Sequence, residues 1–183
     1  MISDIKGDII IQKPLKQHSE LNKLNSTSVN TIRILSLLSR SGVKIYYSII
    51  RMGINGAKVD NASSGGITCG IQEDGRLKEV GYSSNGRKYE KHPSLGIKFD
   101  SIVIPNYKCA VELVKKLHPR LPHFKLISWD IAIREDAVPV LIETNIHYGE
   151  LDFHQLNKGP LFGEDTQKIL EMVFRETKTF SEV

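Results

Sequence analysis

Three oxygen-bearing side chains interrupt two otherwise apolar runs in the C-terminal third of the chain. Trp129-Asp130-Ile131-Ala132-Ile133 and Leu141-Ile142-Glu143-Thr144-Asn145 have the β-branched and aromatic content of strands, joined closely enough to form a hairpin. Glu143 and Asn145 are two positions apart, so a strand points both to one face. A two-residue turn at Asp136-Ala137 would set Asp130 directly across from Glu143. Cross-strand neighbours stand about 5 Å apart at Cβ, where like charges repel. A cation between them removes the conflict. Two carboxylates and an amide carbonyl are hard oxygen ligands that suit magnesium, whose octahedron waters and substrate phosphates complete. The plainer alternative is a solvated hairpin face carrying two acids, and the apolar remainder of both strands counts against it.

Two arginines could serve the same chemistry. Arg33 alternates with Ile32 and Ile34, so it projects from the opposite face of its strand, and Arg51 follows Ile49 and Ile50 at the end of the adjacent strand. A planar guanidinium fork suits bidentate contact with phosphate, although an exposed strand arginine gives the same pattern. Gly65-Gly66 could turn backbone N–H groups toward an anion or form a plain turn. His92 and His118 each precede a proline. Either could move a proton, since histidine titrates near pH ~6.5. His118 closes a helical stretch, where a cation is favoured, and reads first as a cap. His92 and the stretch from His147 to His154 could line an acceptor pocket, whereas Trp129 points away from Asp130 and reads as core. No Walker loop, G-x-G-x-x-G fingerprint or Ser-His-Asp order occurs.

These side chains need a scaffold, and the pattern supplies hairpins. Asp8–Gln12 reads as a strand ended by Lys13-Pro14, and Ser19–Leu24 as a short helix capped by Ser19. Asn30–Ser39 and Val43–Met52 form a long antiparallel hairpin across Arg40-Ser41-Gly42, followed by a polar loop from Gly53 to Gly66. Ile67–Gln72 and Arg76–Tyr82 flank the turn Glu73-Asp74-Gly75, and Ser83–Asp100 is irregular. Asn106–His118 is a helix opened by Pro105, with Tyr107, Ala110, Val111, Val114 and Leu117 as its core-facing stripe. Phe124–Arg134 and Val138–Asn145 make the third hairpin. Asp165–Phe180 is the second main helix, with Ile169, Leu170, Val173 and Phe174 on one side. Hairpins with helices between and after them give an α+β class, an antiparallel sheet with two main helices.

Composition removes several alternatives. The chain has 183 residues, 40% hydrophobic and 25% charged, which is ordinary for a globular domain and too apolar for disorder. No run approaches the roughly 20 apolar residues of a membrane helix. The first residues lack the basic-then-apolar order of a secretory signal, and Cys69 and Cys109 show no metal-like spacing. A reduced, cytoplasmic setting is the expectation. The net charge of +4 tolerates anionic ligands, but the basic residues are scattered, which argues against nucleic acid as a partner.

Asp130 followed by Glu143 and Asn145 within "SWDIAIREDAVPVLIETN" resembles the metal-binding hairpin of ATP-grasp enzymes. Upstream, "VNTIRIL", Arg51 and "VDNASSGG" are similar to the family's arginine strand, second arginine and Asn…Gly-Gly loop. With "KHPSLG", "IPNY" and "KLHPRLP", the set looks most like the sugar-transfer-associated branch, related to glutamate-ligase-like proteins. The resemblance spans about Gly7 to Phe174. It implies that Asp130, Glu143 and Asn145 hold Mg²⁺ on the ATP phosphates, and that Arg33 and Arg51 face the phosphates or an acyl phosphate. It further implies that Asn61 with Gly65 and Gly66 forms a loop near the phosphates or the acceptor, and that "DIIIQKPL" cradles adenine. Gln12 stands in that hinge where the family usually has a carboxylate. The implied activity is an ATP- and Mg²⁺-dependent ligase that activates a carboxylate as an acyl phosphate for an amine or sugar-linked acceptor, in surface-polysaccharide biosynthesis. The chain resembles only the C-terminal half of the fold, with residues 1–25 as adenine hinge and linker and 26–183 as the metal- and phosphate-binding subdomain. A separate N-terminal half or a second copy would then be its partner. A non-catalytic nucleotide- or anion-binding module is the alternative, because the lysine-bearing half would be absent.

Overall fold

The computed structural model describes residues 13–57, 65–147 and 149–180. The expected strand Asp8–Gln12, and with it Gln12, lies outside the described residues, as does Asn61. Among the described residues, seven strands form one antiparallel sheet: β1 (Ile32–Ser39), β2 (Gly42–Met52), β3 (Ile67–Ile71), β4 (Leu77–Ser83), β5 (Lys88–Tyr89), β6 (Leu126–Ile133) and β7 (Pro139–Asn145). Their order is β5-β4-β3-β2-β1-β6-β7. All three expected hairpins are present, and the third docks against β1, which places β1 in the sheet interior between β2 and β6.

A central strand is covered on both faces, and its alternation divides two cores. Ile32, Ile34, Ile50, Ile127, Trp129 and Ile131 face Phe99 and the stripe of α2 (Tyr107–Leu117), which buries Ala110 and Val114. Leu35, Leu37 and Tyr46 face Leu161, with Ile169 and Met172 of α4 (Thr166–Phe180) packed against them. The α+β class holds. The expected short helix is present as α1 (Ser19–Asn22), capped by His18 rather than Ser19, and a further helix, α3 (Leu151–Lys158), joins the expected ones. On α4 the expected stripe is rotated. Ile169 packs inward with Met172, one turn on, whereas Leu170, Val173 and Phe174 are exposed, about 40° to 140° around the axis from Ile169.

His118 is not an exposed cationic cap. It is buried on the Trp129 side of the sheet, in a closed relay. Trp129 Nε1 donates to Ser36 Oγ at 2.7 Å, Ser36 Oγ lies 2.7 Å from His118 Nδ1, and His118 Nε2 donates to the Phe124 carbonyl at 2.9 Å. Burial lowers its pKa, so the ring stays neutral. Cys69 and Cys109 are free, and burial pushes the Cys69 thiol up to about 12.

The β6–β7 hairpin reaches the expected pairing by a different route. Its loop has three residues, Glu135-Asp136-Ala137, closed by the Ala137 N–H on the Arg134 carbonyl at 2.9 Å, with Ala137 at φ +61°. That loop pairs Ile133 with Pro139 and Ile131 with Leu141, a register that would put Ile142 opposite Asp130. A β-bulge at Ile142 absorbs one residue, so that Asp130 pairs with Glu143 and Ser128 with Asn145. Without the bulge, Glu143 would project from the wrong face. The left-handed backbone at Ala137 carries a steric cost that glycine lacks. Ala137→Gly is therefore expected to raise the unfolding free energy by about 1 kcal/mol, read as a higher urea midpoint at unchanged slope.

Candidate functional site

The restored register puts Asp130 beside Glu143 on one side and beside Arg33 of β1 on the other. Arg33 grips Asp130 with both prongs, Nε to Oδ1 and Nη2 to Oδ2, each at 2.7 Å. Arg51 of β2 adds Nη1 to Oδ2 at 3.0 Å. All three side chains are buried: Arg33 is 3% exposed, Arg51 5% and Asp130 3%. Arg33 and Arg51 share Asp130, and Glu150 supplies a further carboxylate through Oε2 to Arg33 Nη1. Burial alone would lower the Arg33 pKa, but the Asp130 hydrogen bonds and the charges of Asp130, Glu150 and Glu143 raise it. The guanidinium is a fixed cation within reach of Glu143.

The proposed metal ligands share this face. Asp130 Oδ2 accepts from both arginines and Oδ1 from one, so Oδ1 keeps an open lone pair. Glu143 is exposed. Asn145 donates Nδ2 to the Ser128 carbonyl at 3.5 Å, which leaves its Oδ1 available as a ligand atom. Among the described residues, no three His, Cys, Asp or Glu side chains gather into a metal cluster, so the donor set depends on the amide of Asn145. By chemistry it fits a hard cation completed by water and phosphate oxygens. Gly66 leads into β3, where Thr68 pairs with Arg51, and Gly65 turns the chain just before it at φ +86°.

Helix α3 covers the neighbouring part of the same face and was not foreseen. Asn157 Nδ2 donates to Thr68 Oγ1 at 2.9 Å, and the His154 ring meets Tyr47 edge-on at 6.4 Å. His154 is fully buried, and neither ring nitrogen has a hydrogen-bond partner. Burial first, then the charges of Arg33 and Lys158, lower its pKa to about 3. His92 is buried with Nε2 3.2 Å from the Gly53 carbonyl, and burial lowers its pKa. His147 is exposed. Only the reversal at Gly149-Glu150 before a short apolar repeat could have signalled α3.

A cleft of about 1,230 Å³ lies elsewhere, between the first half of β2, the β3–β4 turn and α2, lined by Lys44, Tyr47, Lys78 and Tyr107 among others. Neither arginine nor Asp130 lines it. The charged cluster is separate from that cleft and lies beside α3, with Glu143 on its exposed side. No helix among the described residues is long and apolar enough to cross a membrane. No curated protein and no solved structure matches the chain. The chain matches the family model of sugar-transfer associated ATP-grasp over residues 2–170. The chain belongs to that family, whose activity is ATP-dependent and ligase-like.

Proposed function

We propose that this face binds Mg·ATP and takes part in carboxylate activation. The ATP γ-phosphoryl group passes to a carboxylate oxygen, giving an acyl phosphate and ADP. An amine or sugar-linked nucleophile then attacks the acyl carbon, and inorganic phosphate leaves. The observation that carries this reading is the buried Arg33–Asp130–Arg51 cluster with Glu143 and Asn145 on its open side. Arg33 and Arg51, held rigidly by Asp130, fix the anionic group without reorganising during the reaction. Glu143, Asn145 and the open lone pair of Asp130 would hold magnesium, which supplies charge neutralisation at the transferring phosphoryl group. Gly65 and Gly66 would border the phosphates, together with Asn61, and Gln12 would lie at the adenine. The family's association with sugar transfer supports a surface-polysaccharide acceptor.

Glu143→Gln is the test, because an exposed side chain can be altered without disturbing the fold. Calorimetric titration of the 183-residue chain with Mg·ATP is expected to show at least tenfold weaker binding in the variant. The urea midpoint is expected to stay where it was. Equal affinity in both proteins would reject the metal–phosphate role.

A further inference from the structure

We propose that the cleft along the first half of β2 is a second ligand site, built for a sugar ring that carries one acidic group, a carboxylate or a phosphate. It is separate from the nucleotide face, since neither arginine nor Asp130 lines it. Strand β3 pairs with β2 only over Ile49–Met52, so Val43–Ser48 has no strand on that edge among the described residues. All six of those residues line the cleft, which therefore follows the strand edge and reaches both faces of the sheet. Its volume of about 1,230 Å³ is ample beside the roughly 300–1,000 Å³ of most small-molecule sites.

Ammonium groups gather on the α3 side. Lys44 and Lys158 Nζ stand 5.2 and 5.7 Å from the Tyr46 ring centre. Lys78 and Lys158 Nζ stand 5.2 and 5.8 Å from that of Tyr47. Lys44 is paired with Asp165, whereas Lys78 donates to the Asn157 carbonyl and Lys158 to those of Tyr46 and Leu161. Neither Lys78 nor Lys158 forms an ion pair among the described residues. An ammonium carries three donors, so each keeps at least one for an anionic oxygen. Burial first, then the charges of Lys44 and Lys78, lower the Lys158 pKa against the opposing pull of Asp165. Gly70 admits the arrangement, because a Cβ there would collide with the Tyr47 hydroxyl.

The α2 side offers partners for hydroxyl groups. Ser48 pairs with Ile34 of the α2-side core and is 1% exposed, yet its Oγ has no hydrogen-bond partner in the cleft wall. A buried hydroxyl left unpaired is unfavourable, and a ligand hydroxyl would satisfy it. Tyr107 is close enough for Ser48 to lower its pKa but completes no hydrogen bond with that oxygen. Glu73 also lines this end and acts on Tyr107, and its carboxylate can accept from further hydroxyls. Asp74 and Glu112 line the cleft as well, paired with Arg76 and Lys115. Carboxylates at this end disfavour a polyanion. A polyhydroxylated ring with a single acidic group satisfies both ends.

Calorimetric titrations of the 183-residue chain with glucuronate, glucose 6-phosphate, glucose and inorganic phosphate, at fixed ionic strength, test the proposal. Glucuronate or glucose 6-phosphate is expected to bind about tenfold tighter than both glucose and inorganic phosphate. Whichever does so identifies the acidic group as carboxylate or phosphate. That probe is expected to lose about tenfold in Lys78→Met and about fivefold in Ser48→Ala, and to keep its affinity in Lys78→Arg. Ser48→Ala removes no hydrogen bond, so its urea midpoint should stay in place, and midpoints show that the Lys78 variants are folded. Equal affinity for all four probes, or tightest binding of glucose or inorganic phosphate, overturns the inference. So does unchanged affinity in folded Lys78→Met or in Ser48→Ala. A chain that gives the expected sugar results but binds no Mg·ATP keeps this site while the nucleotide reading falls. Mg·ATP binding with no preference among the four probes does the reverse.

Discussion

Asp130→Asn is expected to lower the unfolding free energy by about 3–5 kcal/mol, the usual consequence of removing one partner from a buried ion pair. Asparagine keeps the size and can still accept one hydrogen bond, but it leaves Arg33 and Arg51 as buried cations without their shared anion. Both arginines are at most 5% exposed, so water cannot replace the lost carboxylate. The loss is expected as a fall in urea midpoint at neutral pH. Glu143→Gln, at an exposed position on the paired strand, should stay within about 0.5 kcal/mol of wild type. The contrast matters for function, because lost activity in an Asp130 variant would report unfolding as readily as lost magnesium. A cost below about 1 kcal/mol for Asp130→Asn would mean that the cluster does not hold the sheet together. Asp130 would then be kept for its ligand alone.

The hairpins were legible because strand alternation and turn chemistry are local. Arg33 between two isoleucines identified a side chain on the opposite face from the core, and the fold puts it there. The Asp130–Glu143 pairing was read from a two-residue turn that does not exist. The three-residue loop and the bulge at Ile142 shift the register in opposite senses and cancel. Nothing in the local pattern distinguishes a bulge at Ile142 from an ordinary strand residue, so the agreement came from two compensating irregularities.

Long-range partners were out of reach. Sequence spacing placed two arginines and an acid on strands, but not that Arg33 and Asp130, 97 positions apart, would form a fork. The reading therefore put a cation between the acids and missed that the protein's own guanidinium groups already neutralise Asp130. His118 was misjudged for a related reason. A helix-end histidine is a favourable cation only while exposed, and Ser36 and Phe124, contributed from elsewhere in the chain, bury it as a neutral link. Helix α3 is eight residues long and begins at a left-handed glutamate, which carries no N-cap signal of the Ser, Thr or Asp type.

His154, on that unforeseen helix, should make the fold acid-labile. The unfolded chain binds a proton there at about pH 6.5, whereas the folded chain does so only near pH 3. Between those limits the unfolded state holds the extra proton, so stability falls as the pH drops below about 6.5 and is regained as it rises back. Over the two pH units from 6.5 to 4.5 the loss attributable to this ring is about 2 kcal/mol. His154→Phe keeps an aromatic ring against Tyr47 and removes both unpartnered nitrogens, so the variant should be at least as stable as wild type at pH 7.5. Its advantage in urea unfolding should then grow by about 3 kcal/mol at pH 4.5. His92 and His118 also have lowered pKa values, but both are present in each protein and cancel in the comparison. An advantage that stays constant between the two pH values would show that His154 is reached by water or by a proton-accepting partner in the folded chain. In that case the packing of α3 over Arg33 would be looser than its buried ring implies.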